Sequence, residues 1–142
     1  MRVLNFRLDS VEAKRFVAPE NMPKEMRIDN NSTVLNIKAV DDGKVEITFR
    51  YTAIYGGVGV ITIEGSLLLE CNAKEVEKEW RTKRRMPQDV AQVVHTTVLN
   101  NCIAESFILA RDVKLPPPIP PPVAMMPQQK KGKDKGSMIG YV

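Results

Sequence analysis

Residues that carry chemistry are scarce in this sequence. It has a single histidine, His95, and two cysteines, Cys71 and Cys102, which lie far apart and form no CxxC pair. No second histidine or carboxylate stands at ligand spacing from His95, so neither a metal site nor a catalytic constellation can be assembled. We therefore expect a protein that is not an enzyme and uses no cofactor or metal. His95 is expected to be a solvated or hydrogen-bonded structural residue, and both thiols are expected to be buried.

Long apolar runs are also missing, and no secretory leader is expected. No positively charged start precedes an apolar stretch of about 7–15 residues, and no apolar run approaches the ~18 residues of a membrane span. We therefore expect a cytoplasmic protein that does not insert into a membrane. The chain has 142 residues, 43% of them hydrophobic, which is enough to bury the core of one domain.

Excess positive charge is nearly absent from the body of the chain. Residues 115–142 contain four lysines against one aspartate, which accounts for +3 of the net charge of +4, so residues 1–114 carry only +1. A nearly neutral body argues against a large nucleic-acid-binding face. The two basic clusters, at residues 81–85 and 130–135, are expected to be solvated, and a nucleic-acid partner is not favoured.

Alternating apolar and polar residues predict four strands. In the first, Leu4, Phe6 and Leu8 point to one side, and a bulge or break is needed further on to keep Phe16 inward. In the second, Leu35, Ile37 and Ala39 share one side. Residues 18–31 between these strands read as a long loop, which is a candidate functional loop. The predicted strands span residues 3–17, 32–40, 44–55 and 58–71, and they form a four-stranded, mostly antiparallel sheet.

One long helix, at residues 88–113, follows the predicted sheet, and a short helix at 72–81 precedes it. The long helix has two apolar rows, so a single sheet can cover only one of them. The second row is therefore expected at a subunit interface or beside a groove, and Leu99, Ile103 and Phe107 are its interface candidates. The first row, which should pack on the sheet, contains Val90, Val94, Val98, Cys102 and Leu109.

The composition changes after Lys114. Residues 1–114 are the expected α+β domain, residues 115–127 a proline-rich extended segment, and residues 128–142 a flexible tail rich in glycine and lysine. The proline-rich segment could be a ligand for an aromatic groove, or it could pack on this protein's own surface. Self-packing is favoured, because Leu115, Ile119 and Val123 recur every four residues.

The order of these elements resembles the SecB-like chaperones. The stretch FRLDSVEAKRFVAPE at residues 6–20 is similar to that family's opening strand pair, which ends in an SFEAP-type turn. The strands at 30–71, the long helix and LPPPIPPPV at 115–123 then follow the family order. The resemblance implies a four-stranded antiparallel sheet with helices on one face, assembled as a dimer of dimers.

The resemblance also implies a function. SecB-like proteins are ATP-independent holdases that bind unfolded polypeptide clients in apolar grooves and, in bacteria, pass preproteins to the export machinery. This chain departs from the family in having a basic tail where members often have a second helix, and a nearly neutral body where familiar members are acidic. The motor-docking role is therefore not carried over. By position, the client-binding candidates are Phe16, Val17, Met22, Met26, Trp80, Leu115, Ile119 and Val123.

A second function remains open on the sequence. The chain could be a small oligomeric adaptor that recruits a partner through its proline-rich segment or its basic tail. A holdase would suppress aggregation of several unrelated unfolded proteins and keep that activity without residues 128–142. An adaptor would not suppress aggregation, and it would lose its partner with the tail.

Overall fold

The computed structural model describes residues 1–118 as a four-stranded antiparallel sheet with two helices on one face. This confirms the predicted α+β class. Ile119, Val123 and the predicted tail at 128–142 lie outside the described residues. The elements are β1 (Arg2–Arg15), a 3₁₀ turn (Pro19–Asn21), β2 (Ile28–Asp41), β3 (Lys44–Tyr55), β4 (Gly59–Glu70), α1 (Ala73–Lys83) and α2 (Gln88–Asp112).

The sheet order is β1-β4-β3-β2, so β3 and β4 are central and β1 and β2 are edges. The central position of β3 follows from its alternation, which buries every second side chain from Val45 to Tyr55 completely. Phe49 lies opposite Gly65, and Tyr51 lies opposite Ile63, in the pairing of β3 with β4. Each such apolar side chain contributes about 2 kcal/mol through burial, which makes this face the core of the domain.

Strand β1 is continuous, whereas the sequence allowed a break. Its pairing with β4 shifts register between Val3 and Asn5 and again between Leu8 and Ser10. Both irregularities lie earlier in the strand than the predicted bulge. The first shift makes Leu4 an extra, partly exposed residue, which corrects the prediction that Leu4 points to the same side as Phe6. No shift separates Leu8 from Phe6, so these two residues share one side as predicted, although Leu8 is partly exposed. Phe6 stacks on Phe49 with the ring centroids 5.1 Å apart.

Strand β2 begins at Ile28, four residues before its predicted start, so the loop before it is shorter than expected. The early part of the strand is polar but buried, because Asn30 and Ser32 face the core. A register shift between Val34 and Asn36 leaves Leu35 exposed, which corrects the prediction that Leu35 lies on the same side as Ile37.

Helix α2 packs on the sheet through one row of residues spaced four apart. At about 3.6 residues per turn, each four-residue step advances about 40° beyond a full turn. The buried stripe therefore winds around the helix, and the contact with the sheet changes along its length. Leu109, which was predicted in the same row, is only half-buried but packs against the core. The buried row consists of Val90, Val94, Val98, Cys102, Ser106 and Ala110.

By length and composition alone, α2 would also pass as a membrane-crossing helix, with a mean hydropathy of 1.2 over its best window. This corrects the expectation that no segment approaches such a span. In this structure the buried row of α2 lies against the sheet. A core helix satisfies the same criteria of length and hydropathy, so they do not by themselves assign α2 to a membrane.

Candidate functional site

The connection between β1 and β2 meets the chain that follows α2 at one end of the sheet. The Phe16 N–H donates to the Val58 carbonyl at 2.7 Å, which holds the start of this connection beside the β3–β4 turn. From β1, Arg15 Nε donates to the Val113 carbonyl at 2.8 Å, which ties the end of α2 to the same place. We call the apolar side chains of the connection, namely Phe16, Val17, Met22 and Met26, the loop-end surface.

The loop-end surface is apolar and open to solvent. Phe16 is 59% exposed, more than any other large hydrophobic residue among residues 1–118, which corrects the prediction that it faces inward. Val17, Met22 and Met26 are half-buried and pack against the core, so their outer parts continue the apolar surface around Phe16. Flexible methionine side chains adapt to ligands of different shape. The structure thus brings together four of the residues predicted to bind clients.

Leu115, another predicted client-binding residue, belongs to the core instead. It is only 6% exposed, and its methyl groups fill the space above Gly59, where a Cβ would lie 3.0 Å from them. Its N–H donates to the Ala110 carbonyl at 2.8 Å, which turns the chain back onto the sheet after α2. In this conformation Leu115 offers no surface to a client. The predicted partners Ile119 and Val123 lie outside the described residues.

Buried polar side chains hold the start of the proline-rich segment on the sheet. The Tyr51 hydroxyl donates to Asn30 Oδ1, and Asn30 Nδ2 donates to the Pro118 carbonyl at 3.0 Å. The Tyr55 hydroxyl donates to the Pro116 carbonyl at 2.8 Å. Burial raises the pKa of Tyr51 to about 12, so this hydroxyl remains a donor at neutral pH. Residues 115–118 therefore pack on the protein's own surface, as the favoured alternative predicted.

Sequence reasoning missed this anchor because Asn30 and its neighbours resemble turn residues. One signal was available. The alternation of sides that holds at Ile37 is interrupted by the bulge between Val34 and Asn36. Before the bulge, Ser32 and Asn30 are two residues apart, so they lie on the same side of the extended strand. Buried asparagine and serine in a strand require hydrogen-bond partners, and here the proline-rich segment and α2 supply them.

A cleft lies beside the β2 edge, separate from the loop-end surface, and contains the predicted client-binding residue Trp80. Its volume is about 370 Å³, within the usual range for sites that bind small ligands or side chains. At its floor, Ser32 Oγ and His95 Nδ1 form a hydrogen bond of 2.7 Å. We call it the Trp80 cleft. It is lined by Ser32, Thr33, Val34, Trp80, Arg84, Arg85, Met86, Ala91 and His95.

The Trp80 cleft and the start of the proline-rich segment are connected through β2. Asn30, which holds Pro118, is two residues from Ser32, which lines the Trp80 cleft. At about 3.3 Å per residue, these two positions are roughly 7 Å apart along the strand. An extended chain that lies along the β2 edge can therefore reach the cleft and the last described residues of the proline-rich segment together.

The surroundings of the one histidine and the two cysteines indicate structural rather than reactive roles. His95 is buried against Ser32, and burial lowers its pKa. Burial raises the pKa of Cys102 to about 12, so its thiol stays protonated and unreactive at neutral pH. Cys71 is half-buried rather than fully buried, which corrects the expectation for that thiol. Within residues 1–118, no three His, Cys, Asp or Glu side chains come together in a group that could hold a metal ion.

The predicted interface residues on α2 separate into two environments. Leu99 is only 2% exposed, so it packs within the chain and is not available to a second subunit as predicted. Ile103 is half-buried. Phe107 is 41% exposed, and its neighbour Ile108 is 46% exposed. The unpartnered apolar surface of α2 is therefore confined to its C-terminal half.

No family model and no curated protein matches this sequence. Among solved structures, this chain is similar to the SecB-like chaperone of Mycobacterium tuberculosis in complex with a ChAD peptide from the HigA1 antitoxin. The TM-score is 0.60 at 14% identity, and the match covers 82% of this chain and 84% of the mycobacterial chain. The chain described here has a SecB-like fold, which confirms the fold that the resemblance in the sequence implied.

Proposed function

We propose that this protein is an ATP-independent holdase that binds unfolded polypeptide clients on the loop-end surface. The observation that carries the proposal is the exposure of Phe16 beside Val17, Met22 and Met26, on a SecB-like fold. Such a surface binds through the apolar area that a client removes from water, with little demand on the client's sequence. The mycobacterial protein of similar fold was solved with a bound peptide, which supports a polypeptide as the ligand class.

The chemistry of the surface fits passive holding rather than processing. Binding by apolar contact needs no nucleotide, metal or covalent step, and release follows from the client's own folding or transfer. Preproteins awaiting export are included among the proposed clients, and the export machinery is the downstream partner that the family resemblance implies. The proposed compartment is the cytoplasm.

We further propose that the holdase is a homo-oligomer, with a dimer of dimers as the expected form. Phe107 and Ile108 leave an apolar patch on α2, and Leu8 and Val11 leave another on the edge strand β1. Exposed apolar patches and unpaired strand edges are both stabilised by contact with another chain. Assembly would bring several loop-end surfaces together and strengthen binding to a long client through multivalency.

The proposal is tested by aggregation of unrelated, chemically denatured proteins diluted into buffer without ATP. We expect near-stoichiometric amounts of the protein to suppress aggregation. Phe16→Ser should weaken client affinity by about tenfold, equivalent to about 1.4 kcal/mol, because it removes the most exposed aromatic side chain of the surface. Val40→Ser is the matched control, since Val40 is 48% exposed at the opposite end of the sheet.

Failure to suppress aggregation of any client would contradict the holdase proposal. An adaptor function would show instead as stable binding to one folded partner, which is lost when residues 128–142 are deleted. If Phe16→Ser and Val40→Ser weakened client binding equally, the protein would still be a chaperone, but its client-binding site would not be the loop-end surface.

A further inference from the structure

The Trp80 cleft differs in chemistry from the loop-end surface, because it is cationic. Two of its nine lining residues are arginines, and none is acidic. Arg85 is neutralised by Glu79, with Nε donating to Oε2 at 3.0 Å. Arg84 forms no ion pair with any carboxylate in the described part of the chain. It contributes an uncompensated positive charge at the mouth of an otherwise small and partly apolar cleft.

Backbone conformation holds Arg84 in place. Arg84 is the C-terminal cap of α1, with a left-handed φ of 54°, and its N–H donates to the Trp80 carbonyl at 2.9 Å. Its guanidinium carbon lies 5.5 Å from the centre of the Trp80 ring. A guanidinium stacked on an aromatic face keeps its planar edge free for a carboxylate. The ring therefore holds the guanidinium beside the cleft with its hydrogen-bonding edge free.

One further donor belongs to a residue that lines the cleft. The indole N–H of Trp80 is buried and has no hydrogen-bond acceptor among residues 1–118. A buried donor without a partner is costly, so a ligand that supplies an acceptor to it is stabilised. The start of α2 adds no such donor, because the Ala91 N–H donates to the Pro87 carbonyl at 2.9 Å and the Val90 N–H donates to Asp89 Oδ1 at 2.9 Å.

On the basis of the proposed holdase function, we infer that the Trp80 cleft binds an aspartate or glutamate side chain of an extended client. The cleft opens beside Thr33 and Val34 of the edge strand β2. A client lying along this edge would place one acidic side chain at Arg84 and its neighbouring apolar side chains towards Met26, the loop-end residue that lies just before β2. The protein thus selects client segments in which a carboxylate interrupts an apolar run.

Charge distinguishes this ligand from two other occupants. Residues 119–142 of the same chain contain four lysines and one aspartate, so they are repelled by Arg84 rather than attracted. A nucleic-acid backbone requires several phosphate contacts for affinity, whereas residues 1–114 carry a net charge of only +1. A single carboxylate among apolar neighbours therefore fits the one uncompensated guanidinium better than the basic tail or a nucleic acid does.

The test uses the full-length protein and fluorescently labelled, unstructured peptides without tryptophan. Three peptides share one apolar sequence and differ only at a central Glu, Gln or Lys. We expect the Glu peptide to bind about tenfold more tightly than the Gln peptide and the Lys peptide to bind most weakly, with the difference shrinking at high salt. Because Trp80 is the only tryptophan, its emission should change on binding the Glu peptide.

Arg84→Asn should abolish the difference in affinity between the Glu and Gln peptides. Asparagine tolerates the left-handed conformation that this position requires. Lys83→Asn is the matched control, because it removes the same charge one residue away at a position outside the cleft lining. Trp80→Phe keeps the ring but removes the N–H, and it should reduce the preference for Glu on its own.

The outcomes separate the inference from the function on which it rests. If the Glu and Gln peptides bind equally to the unaltered protein, the acidic preference is wrong and the holdase proposal stands. If none of the peptides binds, both are wrong. Displacement of the Glu peptide by a synthetic peptide of residues 119–142, or by a single-stranded oligonucleotide, would overturn the inference in favour of that occupant.

Discussion

Gly65 lies in β4, between β1 and β3, where a side chain would have no room. A Cβ built on Gly65 would collide with the carbonyl oxygen of Arg7 and lie 3.0 Å from Phe49 Cζ. Gly65 lies opposite Leu8, next to the register shift of β1, where the two backbones approach closely. The sequence alone marks this glycine only as a weak point in a strand, because the close approach arises from the pairing of distant segments.

We therefore predict that Gly65→Ala lowers the free energy of unfolding by about 3 kcal/mol, since the neighbouring backbone must move to admit the methyl group. Chemical denaturation measures this change. Gly43→Ala is the control, because a Cβ there meets nothing within 4 Å, and it should change stability by less than about 0.5 kcal/mol. Equal effects of the two substitutions would contradict the close approach at Gly65.

His95 gives a second prediction at the residue scale. Burial lowers the pKa of His95 below its ordinary value of 6.5. The unfolded chain therefore takes up a proton at a higher pH than the folded chain does. The stability linked to His95 is fully present above about pH 6.5 and is lost as the pH falls through the lowered pKa of the folded state.

This dependence is measured by denaturant unfolding at several pH values from about 7.5 to 5.5, above the range in which most carboxylates titrate. We expect stability to fall with decreasing pH in the unaltered protein and to fall less in His95→Gln, which cannot titrate. The same slope in both proteins would mean that protonation of His95 is not linked to folding.

Helix α2 is the element whose two sides have different roles. Val98 belongs to the buried row and is completely inaccessible. We predict that Val98→Ala lowers the free energy of unfolding by about 2 kcal/mol, because it removes buried methyl groups and leaves a cavity. Thr96→Ala on the exposed side should change stability by less than about 0.5 kcal/mol. Thermal unfolding of the two variants measures the difference, and an inert Val98→Ala would contradict the assigned core face.

The elements with a clear period were predictable from sequence, and those shaped by distant contacts were not. The bounds of β3 matched, and the end of α2 differed by one residue, because both follow uninterrupted patterns. The start of β2 was missed because its buried residues are polar and their hydrogen-bond partners lie at Pro118 and His95. Local pattern carries no information about such partners.

The same limit applies to the candidate site. Position in the family order placed Phe16, Met22 and Met26 among the client-binding candidates, and their role stays a prediction, although the structure brings them together on one apolar surface. The sequence did not reveal that Leu99 and Leu115 are buried, because burial depends on how α2 crosses the sheet and how the chain turns after it. The charge of the Trp80 cleft was also missed, since Arg84 and Val34 are 50 residues apart in the chain.

At the scale of the whole molecule, the proposed assembly predicts a mass in solution well above the 16.0 kDa of one chain. Phe107→Asp should weaken association by about tenfold or more, because it places a charge in the centre of the apolar patch on α2. Sedimentation velocity over a range of concentrations measures both. Gln92→Glu, which adds the same charge at an exposed position of α2 about four turns from Phe107, is the control. A monomer at all concentrations would contradict the proposed oligomer.

The way in which residues 116–118 are attached to the sheet has a kinetic consequence. Proline has no backbone N–H, so this stretch accepts hydrogen bonds from Tyr55 and Asn30 but cannot add a fifth strand to the sheet. It can therefore detach without disrupting any ladder of hydrogen bonds and return without searching for a register. Its opening rate is then governed by Leu115 and a few side-chain hydrogen bonds, and it can be much faster than global unfolding.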